Sequence, residues 1–177
     1  GWLNKNASKP ISLGALSLEN ISNAPAVFGS CNMWNEEKWG SRPPFSILGD
    51  FSKSNTNEIA LGLMLDYSFA LANQISALLD DGFEVDQVIL TGGGASSQLQ
   101  LILGSLLDIP VGKITSDDAI SNLFSMLDDD QRDLLGFGNS TLTLDSETSA
   151  ILKSKAKNHA LMYSQLEGAR EVLENAS

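Results

Sequence analysis

The stretch Val88-Ile89-Leu90-Thr91-Gly92-Gly93-Gly94, followed by a leucine-rich segment over residues 97–107, constrains this chain more than any other feature. Residues 85–90 predict a short strand, the glycines a turn, and the leucines a helix. Asp108-Ile109-Pro110 closes that helix, because proline lacks an N–H and restrains the residue before it. Residues 111–115 predict a second short strand. Strand, helix and returning strand make a βαβ unit, so the chain reads as α/β with parallel pairing.

The remaining elements follow from caps and periodicity. Asn55 with Glu58 three residues later has capping-box spacing, and Ile59, Leu63, Tyr67, Ala70, Ala77 and Leu78 recur at helical intervals up to Leu79. Leu61, Leu65, Phe69, Leu71 and Ile75 occupy its other faces, which predicts a helix buried between layers and ended by Gly82. Ser116-Asp117-Asp118 caps a predicted helix reaching Leu127. From Ser146 onward, Leu152, Ala156, Tyr163, Leu166, Ala169 and Leu173 predict a long amphipathic helix packed on one face. Residues 1–56 form a loop-rich segment holding the chain's three tryptophans, with one short helix at 17–24, and residues 57–177 form the core of the domain.

Charge and composition exclude several function classes. A net charge of −11 repels phosphate backbones and anionic headgroups, so nucleic acid and membranes are not expected partners. One cysteine, Cys31, and one histidine, His159, rule out an internal disulfide and a Cys/His zinc site within one chain. No apolar run reaches the roughly 18 residues that span a bilayer, and no basic stretch precedes an apolar signal core, so the expected compartment is the cytoplasm. Gly1 in place of Met suggests a processed or excised piece of a longer protein.

Glycines after a strand let backbone approach a ligand without intervening Cβ atoms, and the free N–H groups of the next helix carry partial positive charge. That geometry suits a nucleotide. A tight turn in which glycine only permits positive φ has the same spacing, so both readings stand on spacing alone. Walker A fails, because the Gly112-Lys113 pair is followed by Ile114. A dinucleotide fingerprint needs Gly or Ala where Ser97 stands, and its acid would have to be Asp117 or Asp118.

Other residues have simpler readings. His159, on the last helix close after Lys155 and Lys157 and with no second histidine, is expected to be solvated. Cys31 beside Met33 and Trp34 reads as packing, and the run Asp128-Asp129-Asp130 as a solvated turn without EF-hand spacing. Trp2, Trp34 and Trp39 are expected to plug the loop segment onto the core. Arg42, between Gly40 and two prolines, either anchors its loop or reaches a substrate or phosphate in a cleft.

In chain order, Gly40-Ser41-Arg42-Pro43-Pro44, Asn57-Glu58-Ile59-Ala60, the Val88 to Ser97 turn segment with its Gly-Gly-Gly-Ala-x-Ser, and Leu106-Leu107-Asp108-Ile109-Pro110-Val111 resemble the C-terminal domain of FGGY carbohydrate kinases. The xylulokinase-like branch is the most similar. The last helix, bearing Tyr163, resembles the closing helix of that family, so the resemblance covers most of residues 30–170. It implies an actin-like ATPase (ribonuclease H-like) domain, the half of a sugar kinase that contributes the adenosine side of the ATP site. It implies nucleotide binding by Gly92, Gly93, Gly94, Ala95 and Ser97, with Gly93 and Gly94 against the adenosine and Ser97 bonded near the adenine or ribose. Arg42 would then face the interdomain cleft.

The implied cofactors are ATP and Mg²⁺, and the implied reaction transfers the γ-phosphate to a sugar hydroxyl. The implied catalytic Asp belongs to an N-terminal sugar-binding domain outside this chain, so the chain alone is expected to be inactive. Expected partners are that domain, the sugar, and a second copy of the chain if Trp34, Trp39 and the long helix expose apolar surface. The chain also departs from the family. Family Arg and Glu-Gly positions in the long helix appear as Leu61 and Leu65-Asp66, the Glu of the Gly-Glu-Arg loop as Ser41, Ala-Asp as Ser105-Leu106, and Gly-Ala-Ala as Ser121-Asn122-Leu123. Two other readings therefore stand beside the kinase: a non-catalytic kinase-like interaction domain and a Rossmann-type dinucleotide-binding domain.

Overall fold

A computed structural model describes residues 16–29, 45–49, 54–92, 95–113 and 142–175. The described residues form a mixed α/β structure with two small sheets. After a 3-10 turn at Leu18–Asn20 come β1 (Ala26–Phe28), β2 (Ser46–Leu48), α1 (Thr56–Asp80), β3 (Val88–Leu90), α2 (Ser97–Leu106), β4 (Val111–Lys113) and α3 (Ser146–Asn175). The predicted helix over 116–127, the Asp128–Asp130 run, Cys31, Arg42 and the three tryptophans lie outside the described residues.

The βαβ unit forms as its residues predict. β3 and β4 pair in parallel, Val88 opposite Val111 and Leu90 opposite Lys113, with α2 as the crossover. Gln100 Nε2 donates to Val111 O at 2.9 Å and ties the helix to the returning strand. The first strand is shorter than residues 85–90, because its pairing with β4 extends over three residues only. In the loop-rich segment the structure adds an antiparallel pair that periodicity did not reveal: β1 with β2, Ala26 opposite Leu48 and Phe28 opposite Ser46. Strands of three residues, such as β1 between Pro25 and Gly29, are too short for alternation to be read. The helix expected at 17–24 is reduced to the 3-10 turn, capped by Ser17 Oγ accepting from Glu19 N.

α1 is the axis of the core. Its capping box is complete: Asn55 Oδ1 accepts from Asn57 N (2.9 Å) and Glu58 N (3.0 Å), while Glu58 Oε2 accepts from Asn55 N (2.8 Å). At the other end Gly82 takes φ +87°, Gly82 N donates to Leu79 O and Phe83 N to Leu78 O, a Schellman cap that a side chain at Gly82 would strain. Between these ends the helix is apolar nearly all round because it serves two clusters. Its first half packs Ala60, Leu61, Met64, Leu65 and Phe69 with Ile21, Ile102 and Leu152. Its second half packs Ala72 and Ile75 with Leu90, Leu103 and Val111. Adjacent residues of α2 thus enter different clusters, Ile102 the first and Leu103 the second. Among the described residues no helix is long and apolar enough to cross a membrane.

Candidate functional site

The glycine turn between β3 and α2 is the first candidate, and its described part begins at Gly92. Gly92 takes φ +76°, and a Cβ there would meet nothing within 4 Å. The turn closes through Ala95 N donating to Gly92 O at 3.1 Å. Ser96 then caps α2, its Oγ accepting from Leu99 N at 3.1 Å. Ser97 is exposed in the first turn of α2 and accepts from Lys113 Nζ at 2.9 Å. Sequence reasoning used Lys113 only to reject a Walker motif. In the fold it sets a cation beside a helix N-terminus, where two positive influences meet. Gly93, Gly94 and Arg42 lie outside the described residues, so this part of the site consists of Gly92, Ala95, Ser97 and Lys113. Among the described residues no group of three or more His, Cys, Asp and Glu is placed to hold a metal ion.

A second polar centre lies inside the molecule, and it corrects the expectation for His159. That histidine is 6% exposed, not solvated. Its Nε2 lies 2.9 Å from Asp66 Oδ1 and 3.1 Å from Val27 O. A backbone carbonyl can only accept, so Nε2 carries a hydrogen and shares it between the two oxygens. The ring stacks on Phe28 (centroids 4.5 Å, interplanar angle 16°) and meets Phe69 and Tyr163 edge-on or tilted. Burial of an aspartate demands such a donor, since an uncompensated carboxylate in this core would be strongly unfavourable. α1, α3 and β1 are therefore joined at one point by polar as well as apolar contact.

Above this pair lies a cavity of about 210 Å³ between β1, α1 and α3. Val27, Leu65, Phe69 and Met162 give it apolar walls, and Lys155, Asn158 and the Asp66–His159 pair give it polar groups. On its floor β1 crosses α1 closely at Gly62, where a Cβ would stand 2.7 Å from Pro25 O and 2.9 Å from Val27 Cγ2. Lys155 is half-buried, its Nζ donates to Ala24 O at 2.8 Å, and burial pulls its pKa below the ordinary lysine value.

Two signals in the sequence point to the buried pair. Asp66 is the sole charged residue between Ile59 and Leu79, an acid in an otherwise apolar helix that needs a partner. His159 falls seven residues after Leu152 and four before Tyr163, on the buried stripe of α3. The lysines just before it, Lys155 and Lys157, concealed that register. Comparison of the chain with models of protein families, with curated proteins and with solved structures finds no match.

Proposed function

We propose that the chain carries the nucleotide-binding, actin-like half of an FGGY-type carbohydrate kinase, and that the complete protein transfers the ATP γ-phosphate to a sugar hydroxyl. The observation that supports this reading is the parallel β3–turn–α2–β4 unit, in which left-handed Gly92, open on its Cβ side, leads into a helix N-terminus flanked by Lys113. Bare backbone suits a base or ribose lying flat against it, and the helix start with its cation suits the attached phosphates. In this reading Gly92, Ala95 and Ser97 touch the nucleotide, and Gly93, Gly94 and Arg42 complete the site. The chain's own part is to bind and orient, since phosphoryl transfer depends mainly on positioning and charge neutralisation. Mg²⁺ supplies part of that neutralisation when bound. The catalytic Asp and the sugar pocket belong to the N-terminal sugar-binding domain, and the proposed compartment is the cytoplasm.

One observation favours the second reading, a non-catalytic kinase-like interaction domain. Leu61, Leu65 and Asp66, which stand where the resembled family has Arg and Glu-Gly, are 1%, 3% and 2% exposed. The leucines pack the core and Asp66 holds His159, so all three are engaged inside the domain. A nucleotide titration separates the readings. ATP and ADP, each with and without Mg²⁺, should give saturable amide shifts over residues 92–97, weaker with GTP. Lys113→Met should weaken binding about two- to fivefold, the scale of an exposed charge contact. Silence at millimolar nucleotide, in the chain joined to its N-terminal domain, would overturn the kinase reading and leave the interaction domain.

A further inference from the structure

The cavity between β1, α1 and α3 is lined by a cation, Lys155, that forms no ion pair among the described residues. Its Nζ donates to Ala24 O, a neutral carbonyl. Asp66, the acid that also lines the cavity, is engaged by His159 Nε2. Burial strips water from part of the ammonium and lowers its pKa, so the fold holds this charge at a cost that a bound anion would offset. Exposed Asn158 lines the same space and adds an amide donor. The cavity's volume, about 210 Å³, exceeds the roughly 150 Å³ of an apolar cavity that admits benzene, which leaves room for a body of about six carbons.

We propose that this cavity is a binding site for a monocarboxylate with a short hydrocarbon body, its carboxylate on Lys155 and Asn158 and its chain on Val27, Leu65, Phe69 and Met162. Lys155 makes no contact with an acid among the described residues, so it has room for one negative charge. A dianion such as phosphate would bring its second charge toward Asp66, and it has no use for apolar walls. An alkylammonium would meet Lys155 as a like charge. Another cavity, of about 300 Å³, shows the contrast: the charged groups among its described lining residues are Glu19 and Asp145, so it disfavours anions. The proposed site shares no lining residue with the glycine turn and stands or falls apart from the nucleotide reading.

The test titrates the chain with hexanoate, 1-hexanol and hexylamine, following the methyl resonances of Val27 and Met162 by NMR. Hexanoate should saturate, with the alcohol and the amine binding at least about tenfold more weakly, as expected for the loss of one charge-assisted hydrogen bond. Lys155→Met should lose about tenfold in hexanoate affinity and Lys155→Gln nearly as much, whereas Met162→Trp should block binding by filling the space while the charge remains. Both lysine substitutions are at a half-buried position, and Lys155→Gln keeps a donor for Ala24 O, so the fold is preserved for the comparison. Absence of saturation by about 20 mM hexanoate, equal affinity for the three probes, or full affinity in Lys155→Met would each overturn the site.

Discussion

His159 shows how much one side chain organises here. Its ring replaces a hydrophobe in the stack with Phe28 and Tyr163, while its Nε2–H satisfies the buried Asp66. His159→Phe keeps the aromatic shape and deletes the donor, so it should destabilise the fold by about 3 kcal/mol or more, the cost of breaking a buried charged contact from one side. Adding Asp66→Leu should recover most of that loss, because the pair is then replaced by apolar packing. Urea denaturation of the two single variants and the double variant measures the cycle, and additive losses would show that the two residues do not act as a unit. Gly62 presents a different balance. Alanine there gains roughly 1 kcal/mol of helix propensity. Its Cβ would also stand 2.7 Å from Pro25 O, a backbone atom that moves only if β1 moves. Overpacking of this kind costs about 1–3 kcal/mol, so Gly62→Ala should lower stability in the same denaturation assay.

Among the elements, α3 owes its start to a local acid. Asp145 stands at its N-cap: Thr148 N donates to Oδ1 at 2.9 Å and Thr148 Oγ1 to Oδ2 at 2.7 Å. These bonds favour the carboxylate and hold its pKa below the ordinary 3.8. Between the lowered native value and 3.8 the unfolded chain binds more protons, so the cap's charge-linked stabilisation is present above 3.8 and fades as pH falls through the native value. Asp145→Ala should therefore lower Tm at pH 7, and its gap to the wild type should narrow at acid pH. A gap that stays constant from pH 7 to about pH 2 would assign the effect to helix propensity instead. α2 is held by a different device. Ser105 Oγ donates back to Leu101 O and accepts from Leu144 N, so the crossover helix is fastened to the chain entering α3. Caps, glycine turns and the βαβ order were legible in the sequence because each relates residues three or four apart or in direct succession.

For the whole molecule, α1 decides how the parts stand or fall together. Both hydrophobic clusters contain it, and Ile102 and Leu103 carry α2 into both. Each of these residues is fully buried, so Ile102→Ala and Leu103→Ala should each cost about 2–5 kcal/mol. Because α1 is common to both clusters, each variant should still melt in one transition, the same by far-UV circular dichroism and by tyrosine fluorescence of Tyr163 and Tyr67. Separate transitions would mean that the two clusters fold as independent units. The α/β class, the long central helix and the β3–turn–α2–β4 order follow from hydrophobic period, caps and glycines, all short-range properties of the chain. The β1–β2 pairing, the union of Asp66 with a histidine 93 residues away and the cavity above them do not. Those features depend on which faces meet when α1 and α3 pack against a strand. Burial turned a histidine that follows two lysines from a solvated residue into a core donor, and spacing along a chain carries no record of the partner a distant element brings.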